Sequence, residues 1–166
     1  MLTLANFNTT QAKTYYKREN YYSQEEAQAN SEWRGHGASK HQLSGAINDL
    51  DAYENIVNGH SPDGKTQLRQ KQNHKNKKER AGVDLTFSVP KSVSLACLVG
   101  GDSRLEEAHR IAVRRTIDLI EERYAFTRIN DERVKTGNLI VAVWHHDTSR
   151  ELDPHLHSHC LLMNCT

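Results

Sequence analysis

Two apolar segments near the end of the chain, Leu139 to His146 and Leu156 to Met163, are separated by a short polar loop that contains Asp153-Pro154. Segments of this length with a turn between them predict two strands that pair antiparallel. Side chains alternate between the two faces of a sheet, so His157 and His159 are expected on one face, roughly 7 Å apart. The two strands therefore predict both a sheet and a histidine cluster on it.

His146 ends the first of these segments, eleven residues before His157. A lone histidine is more often a packed residue whose ring nitrogen has a buried partner. Three imidazoles that converge are instead the usual protein contribution to a catalytic metal site with open positions. We therefore predict that His146, His157 and His159 bind one metal ion. His155 lies on the same face as a spare, and His145, of opposite parity, is expected on the outside.

The remaining pattern predicts a single α/β (α+β) domain. Val83 to Val89 alternates apolar and polar residues, as a half-buried strand does. Ser103-Arg104-Leu105-Glu106 matches a capping box that begins the longest helix. We expect a central antiparallel sheet with this helix, residues 103–126, packed on one face and the other face open. The three strand candidates would form the middle of the sheet, with Leu2 to Phe7 nearby.

Shorter signals predict the other elements. Thr9 or Thr10 is expected to cap a helix that runs to Arg18. Residues 23–45 are expected to form a loop, and a short helix should run from Asn48 to Val57 and stop at Asn58-Gly59. The stripe on the longest helix is predicted to contain Leu105, His109, Ala112, Thr116, Ile120 and Tyr124, with Ile117 beside it.

Apolar residues make up only 36% of the 166 residues, so the core has to come from a few well-patterned segments. The net charge of +1 gives no general argument for a nucleic-acid partner. Residues 65–80, however, carry seven Lys and Arg against one Glu. This run is either a solvated loop or a basic arm that lies along phosphates. The candidates for phosphate contact are Arg69, Lys71, Lys75, Lys77, Lys78 and Arg80.

The cysteines and the apolar segments bear on the compartment. Cys97 and Cys160 lie in apolar runs, where a reduced and buried thiol is the ordinary interpretation. The sequence shows no signal peptide and no apolar segment near the roughly 20 residues that a membrane span needs. We therefore predict a cytoplasmic protein without membrane insertion.

Two pairs of adjacent tyrosines, Tyr15-Tyr16 and Tyr21-Tyr22, lie near the N-terminus. Such pairs are most often half-buried packing residues with solvated hydroxyls. Near a divalent metal, however, a tyrosine hydroxyl is a competent nucleophile at phosphorus and forms a covalent phosphotyrosine. Asp84 lies on the polar face of its strand. It is either a solvated acid, an acceptor that orients one histidine ring, or the base that takes the tyrosine proton.

Taken together, these motifs resemble the relaxase domain of plasmid conjugation proteins of the TrwC/TraI (MobF) type, which are HUH endonucleases. The resemblance covers essentially the whole chain and implies an HUH relaxase/Rep-like fold. Residues 1–166 would form the relaxase domain, expected as the N-terminal part of a longer relaxase. The matching blocks are the paired tyrosines, Ser31 to Gly35, Asp84 to Ser94, Gly137 to Leu139, and His146 to His159.

The resemblance implies a site- and strand-specific endonuclease for single-stranded DNA. It would nick the transfer origin of a plasmid through a 5′-phosphotyrosine intermediate and so initiate conjugative transfer. Tyr15 would be the nucleophile, and Tyr21 would serve a second strand transfer. Asp84 matches the family acid beside the metal-binding histidines. The position of His155 usually holds Gln in this family.

The resemblance also implies cofactors and partners. His146, His157 and His159 would hold one divalent cation. Family relaxases are regarded as working with Mg²⁺ or Mn²⁺, while three neutral nitrogens also suit Zn²⁺ or Ni²⁺. The implied partners are single-stranded DNA with an origin-of-transfer hairpin, accessory relaxosome proteins and a type IV secretion coupling protein. The implied location is the bacterial cytoplasm, with transfer to the recipient cell.

Three alternatives remain open at this point. A rolling-circle initiator or transposase of the HUH class usually has its tyrosine after the H-x-H motif, and no tyrosine follows His159 here. A three-histidine zinc hydrolase would use water as its nucleophile and would survive Tyr15→Phe. A truncated, non-catalytic module would bind origin DNA through residues 65–80 without forming a covalent adduct.

Overall fold

A five-stranded antiparallel sheet forms the centre of the computed structural model, which describes residues 1–12, 28–69, 80–149 and 151–165. The elements are β1 Leu2–Asn8, β2 Ser31–Arg34, α1 His36–Lys40, α2 Leu50–Val57, β3 Arg80–Ser88, α3 Lys91–Leu98, α4 Ser103–Tyr124, β4 Phe126–Ile129, β5 Glu132–Lys135, β6 Val141–Thr148 and β7 Pro154–Met163. The strand order is β1-β3-β7-β6-β2, and β4 and β5 form a separate hairpin. The predicted fold class is therefore confirmed, with β3, β7 and β6 in the middle of the sheet.

The helix α4 covers one face of this sheet. Its buried side chains follow a spacing of four, at His109, Val113, Ile117 and Glu121. The predicted stripe is confirmed in part: His109 and Ile117 are buried and Leu105, Thr116 and Ile120 are half-buried, but Ala112 is exposed and Tyr124 is 69% exposed. A search for apolar residues alone would miss Glu121, although its side chain lies in the same buried row.

The predicted start of α4 is also corrected. Its N-cap is Asp102, not Ser103, because the Asp102 side chain accepts a hydrogen bond from the backbone N–H of Arg104. Aspartate and serine are both strong N-cap residues, and the acid one position earlier takes the role here. The three cysteines at positions 97, 160 and 165 are buried free thiols, as predicted for the first two.

Glu121 joins three parts of the fold. One carboxylate oxygen accepts hydrogen bonds from the backbone N–H groups of His36, at 2.9 Å, and of Leu139, at 2.6 Å. The other lies 2.8 Å from Nδ1 of His36. The chain passes so close here that a Cβ on Gly35, whose φ is +97°, would lie 2.3 Å from the carbonyl oxygen of Leu139. Residues 23–45, predicted as a loop, thus include β2 and α1, which long-range contacts hold in place.

Glu121→Ala is expected to lower the free energy of unfolding by about 2–4 kcal/mol, because it removes the acceptor of two part-buried backbone donors. Glu121→Gln retains an acceptor oxygen and should lose less. Glu122→Gln, on the exposed side of the same helix turn, is the matched control. Urea unfolding followed by circular dichroism measures all three. An alanine variant as stable as the Glu122→Gln control would contradict this role.

The other face of the sheet carries an aromatic cluster at one end. The ring of Tyr53, from α2, lies 6.1 Å from the ring of Trp33 and 5.9 Å from that of Trp144. The short helix α2 was predicted at this place in the sequence; it begins at Leu50, after an Asp49 cap. The expectation that this face is open was therefore wrong at the aromatic end, where α2 covers it, and at the other end His146 and His159 are half-buried.

The N-terminal segment is tied to the same cluster. Residues 9–12 are helical. Asn8 and Gln11 exchange side-chain to backbone hydrogen bonds of 2.9 and 3.0 Å, which is a capping box. Asn8 is therefore the cap, not Thr9 or Thr10. The hydroxyl of Tyr53 donates to the carbonyl oxygen of the buried Ala12 at 3.2 Å. None of the described helices has the length and apolar character of a membrane span.

Candidate metal centre

The three predicted metal ligands meet on one face of the two central strands. His146 of β6 is the register partner of His157 of β7, and Trp144 is the partner of His159. The ring centres are 5.1 Å apart for His146 and His157, 5.2 Å for His157 and His159, and 5.7 Å for His146 and His159. Strand alternation and antiparallel pairing thus bring all three imidazoles together.

These separations can be compared with those around an ion. Three imidazole nitrogens about 2.0–2.1 Å from one ion place the ring centres roughly 4.5–5.5 Å apart. Among the described residues, no group of three or more His, Cys, Asp or Glu is drawn together closely enough to hold an ion as it stands. To hold an ion, the rings would have to approach by about a few tenths of an ångström, and the ring of His146, which stacks on that of His157 at 26°, would have to turn. Three imidazoles are nonetheless donors that suit a divalent metal.

His157 has the protonation state that a ligand requires. Its Nδ1 donates to the backbone carbonyl of His155 at 2.8 Å, so Nε2 keeps its lone pair. Burial lowers the pKa of His157 to about 4, although the bond to the His155 carbonyl works in the opposite direction. The imidazole is therefore neutral at pH 7.

Asp84 orients the third imidazole. Its Oδ2 lies 2.9 Å from Nδ1 of His159, and the hydroxyl of Thr86 lies 3.1 Å from the same nitrogen. A carboxylate that holds Nδ1–H fixes the ring and leaves Nε2 for a metal. The second oxygen, Oδ1, is buried and has no hydrogen-bond partner within the described residues. One carboxylate therefore has one oxygen engaged with His159 and one still able to accept a proton.

His155 lies at the rim of the cluster. Its ring stacks on that of His157, with 4.6 Å between the centres and 18° between the planes. Among the ring contacts of the described histidines, His155 makes only this one, whereas each of the three proposed ligands has its ring centre within 5.7 Å of both others. Burial, with the nearby positive charge of Lys91, lowers the pKa of His155. The geometry favours three ligands over four.

The prediction that His145 lies on the outside was wrong. Its parity is opposite to that of His146, as expected, but that face of the sheet is covered by α4. His145 is 6% exposed, and its Nδ1 lies 2.7 Å from the hydroxyl of Ser158. His109 of α4 reaches the same hydroxyl at 2.8 Å. The alternation in the sequence predicts on which face of the sheet His145 lies, but not that α4 covers this face.

Arg69 also differs from its prediction. Its side chain is buried, and Nη1 lies 3.4 Å from the carbonyl oxygens of Val57 and Ala81. These contacts argue against the predicted phosphate contact and make Arg69 a structural residue that links α2 to β3. Arg80 is exposed at the start of β3. The other predicted site residues, namely Tyr15, Tyr16, Tyr21, Tyr22, Lys71, Lys75, Lys77 and Lys78, lie outside the described residues.

Two polar residues at the centre were missed in the sequence. Thr86 shares the face of Asp84 because it lies two positions further along β3, and it is the register partner of His159. Ser158 lies between His157 and His159 in the sequence and points to the opposite face. The alternation of side chains along each strand indicates which face Thr86 and Ser158 occupy. Only the pairing of the strands shows which histidine each of them contacts.

Comparison with known proteins places these features in a family. The sequence model of the TrwC relaxase family matches residues 9–166. The multifunctional conjugation protein TraI of Escherichia coli is 41% identical over 156 residues, which are 92% of this chain and 8% of TraI. The TraI of strain K12 is 40% identical over the same length.

Solved structures give the same result. The conjugative relaxase TrwC in a metal-free complex with oriT DNA superimposes with a TM-score of 0.83 and 35% identity, over 99% of this chain and 56% of that one. Its metal-bound complex gives a TM-score of 0.81 and 37% identity, over 99% and 57%. TrwC with a 27-mer DNA that comprises the recognition hairpin and the cleavage site gives 0.81 and 35%, over 99% and 55%. The chain thus spans 55–57% of the solved relaxase chains that it matches.

Proposed function

The chain belongs to the TrwC relaxase family, and we propose that it nicks one strand of DNA at a plasmid transfer origin by transesterification. The observation that carries this proposal is the cluster of His146, His157 and His159, with Asp84 on one ring, on the face of the sheet opposite α4. The TrwC complexes with oriT DNA suggest the same class of substrate.

His146, His157 and His159 would hold one divalent cation. Mg²⁺ or Mn²⁺ is our first choice, with Zn²⁺ or Ni²⁺ as alternatives that suit three nitrogens. When bound, the ion supplies positive charge that polarises the scissile phosphate. The protein contributes orientation, because the Nδ1 contacts of His157 and His159 set the direction of both rings.

Tyr15 is the proposed nucleophile. It follows the buried Ala12 by three residues, a reach of about 10 Å in extended chain. The carbonyl of Ala12 is held by Tyr53, whose ring packs against Trp144, the register partner of His159. This series of contacts supports an N-terminal segment that approaches the histidine end of the sheet.

The proposed step forms one bond and breaks another. The hydroxyl oxygen of Tyr15 attacks phosphorus, and the P–O3′ bond breaks. The leaving 3′-oxygen gains a proton and becomes a 3′-hydroxyl, while the 5′-phosphate stays on the tyrosine. Asp84 is the proposed acceptor of the tyrosine proton, through the oxygen that His159 does not engage. Tyr21 would perform a second transfer, with Tyr16 and Tyr22 as the paired neighbours.

Binding of the DNA would draw on the basic run. Lys71, Lys75, Lys77 and Lys78, with the exposed Arg80, are the proposed phosphate contacts, and their contribution should weaken as salt rises. The proposed ligand is single-stranded DNA with an origin hairpin. Accessory relaxosome proteins and a type IV secretion coupling protein are proposed partners. We propose that the protein acts in the bacterial cytoplasm and is transferred to the recipient.

An adduct assay with two labels tests the proposal. Single-stranded oligonucleotides from a panel of transfer origins are labelled at either end and incubated with the protein and Mg²⁺ or Mn²⁺. On a denaturing gel, the 3′ label should move with the protein, and the 5′ label should appear on a shorter free strand. Cleavage without an adduct would point to a metal hydrolase. Salt-sensitive binding without cleavage, for every origin and both metals, would point to a binding module.

A further inference from the structure

A chain of buried polar groups lies behind the histidine cluster, on the α4 side of the sheet. Ser158 is fully buried, and its hydroxyl contacts Nε2 of His109 at 2.8 Å and Nδ1 of His145 at 2.7 Å. Nε2 of His145 lies 3.5 Å from a carboxylate oxygen of Glu32, which also accepts a hydrogen bond from Arg114 at 2.9 Å. The series joins α4, β7, β6 and β2.

Counting protons gives these hydrogen bonds a direction. The carboxylate of Glu32 lies 3.5 Å from Nε2 of His145, and its negative charge favours the tautomer with the N–H at Nε2, although the contact does not have the geometry of a hydrogen bond. Nδ1 of His145 then accepts the single proton of the Ser158 hydroxyl. The oxygen of Ser158 in turn accepts from Nε2–H of His109. The Ser158 hydroxyl is thus engaged on both sides, by one ring nitrogen of His109 and one of His145.

The members of this series alternate along the strands with the proposed ligands. Ser158 lies between His157 and His159, and His145 directly precedes His146. His145 and Ser158 are themselves register partners. Neighbours along a strand point to opposite faces, so each proposed ligand has an anchored residue immediately beside it on the far side.

The part of β6 that carries His146 requires such anchoring. The register of β6 and β7 is interrupted between His146 and Thr148, immediately beyond the first ligand. A bulge bends and twists the strand that carries it. Backbone pairing alone therefore fixes His146 less firmly there, whereas the bond between His145 and Ser158 ties the two strands one residue before the interruption.

We propose that Ser158, His145 and His109 are positioning residues that hold the three histidines at the separation one metal ion requires. The inference rests on the proposed function, since it presumes that the cluster binds a metal. A plainer interpretation is that the series only satisfies buried polar groups, as most such groups in proteins are satisfied. The two differ in whether loss of a link changes the metal site.

Metal titration distinguishes the positioning role from the plainer interpretation. The protein is first freed of metal with a chelator. Ser158→Ala and His109→Leu remove links, whereas His109→Gln keeps a donor that can reach Ser158. Cys160→Ala is the matched control, because Cys160 is equally buried, lies on the same face and also adjoins His159. Mn²⁺ affinity is measured by calorimetry, and the visible absorption of bound Co²⁺ reports the ligand geometry. Thermal unfolding verifies that each variant is folded.

Ser158→Ala and His109→Leu are expected to weaken Mn²⁺ binding roughly three- to tenfold and to alter the Co²⁺ spectrum. Removing a direct partner of a ligand usually costs about 10–100-fold, and these contacts act one step further away. His109→Gln and Cys160→Ala should stay within about twofold of the parent. Because His109 lies on α4 and not on a strand of the sheet, the comparison of His109→Leu with His109→Gln tests the positioning role even if Ser158→Ala fails to fold.

Each outcome bears on a different proposal. If the parent binds Mn²⁺ and the folded Ser158→Ala and His109→Leu variants bind it equally well, the positioning role is wrong and the metal site stands. Equal weakening in Cys160→Ala, or no recovery in His109→Gln, also overturns the role, since general packing then explains the effect. If the parent binds neither Mn²⁺ nor Co²⁺, the proposed metal centre itself fails.

Discussion

Replacing Tyr15 by phenylalanine is expected to reduce formation of the covalent protein–DNA adduct by at least about a thousandfold. The change removes a single oxygen, the one proposed to attack phosphorus, and keeps the aromatic ring for packing. Binding of the same oligonucleotide at low salt should change by less than about twofold, because the phosphate contacts are proposed to come from other residues. Single-turnover cleavage on a denaturing gel and fluorescence anisotropy measure the two quantities.

Tyr16→Phe is the matched control for this experiment, since it makes the same chemical change one residue away. It should retain adduct formation within about tenfold. Tyr21→Phe should leave the first cleavage intact and affect only transfer to a second strand. If Tyr15→Phe still forms the adduct and Tyr16→Phe does not, the nucleophile is the second tyrosine of the pair. If both variants cleave without an adduct, water is the nucleophile and the relaxase proposal fails.

The candidate centre could be predicted from the sequence because a strand has a period of two. His157 and His159 share a face by spacing alone, and a short connection places His146 opposite them. Asp84 follows the same rule on the next strand, and the structure places its carboxylate on His159. Alternation and local pairing therefore suffice where the elements are adjacent in the sequence or regular in pattern.

Features that depend on distant contacts could not be predicted in this way. The strand β2 has only four residues and exists because it pairs with β6, more than a hundred positions later. Arg69 lies in a run that looks solvated by composition, yet backbone carbonyls from two other segments bind it. His145 was predicted to lie outside because the alternation along a strand shows only which face a side chain occupies. Whether that face meets solvent depends on the buried side chains of α4.

His159→Ala is expected to weaken Mn²⁺ binding at least about a hundredfold and to abolish DNA cleavage at moderate metal concentration. The change removes one of three nitrogens and leaves Asp84 buried without its partner. That loss should also cost about 1–3 kcal/mol of stability, so metal affinity is measured well below the unfolding temperature. Calorimetric titration of Mn²⁺, with cleavage assayed over a series of metal concentrations, separates a lost ligand from a lost fold.

His155→Ala is the comparison that makes this result specific. It removes an imidazole from the same strand and the same face, but one whose only ring contact among the described residues is with His157. Its Mn²⁺ affinity should stay within about threefold of the parent, because the backbone carbonyl that orients His157 remains. A loss as large as that of His159→Ala would mean that His155 turns inward when metal binds, and the centre would then have four imidazoles. A small loss in both variants would place the metal elsewhere, and the three histidines would be packing residues.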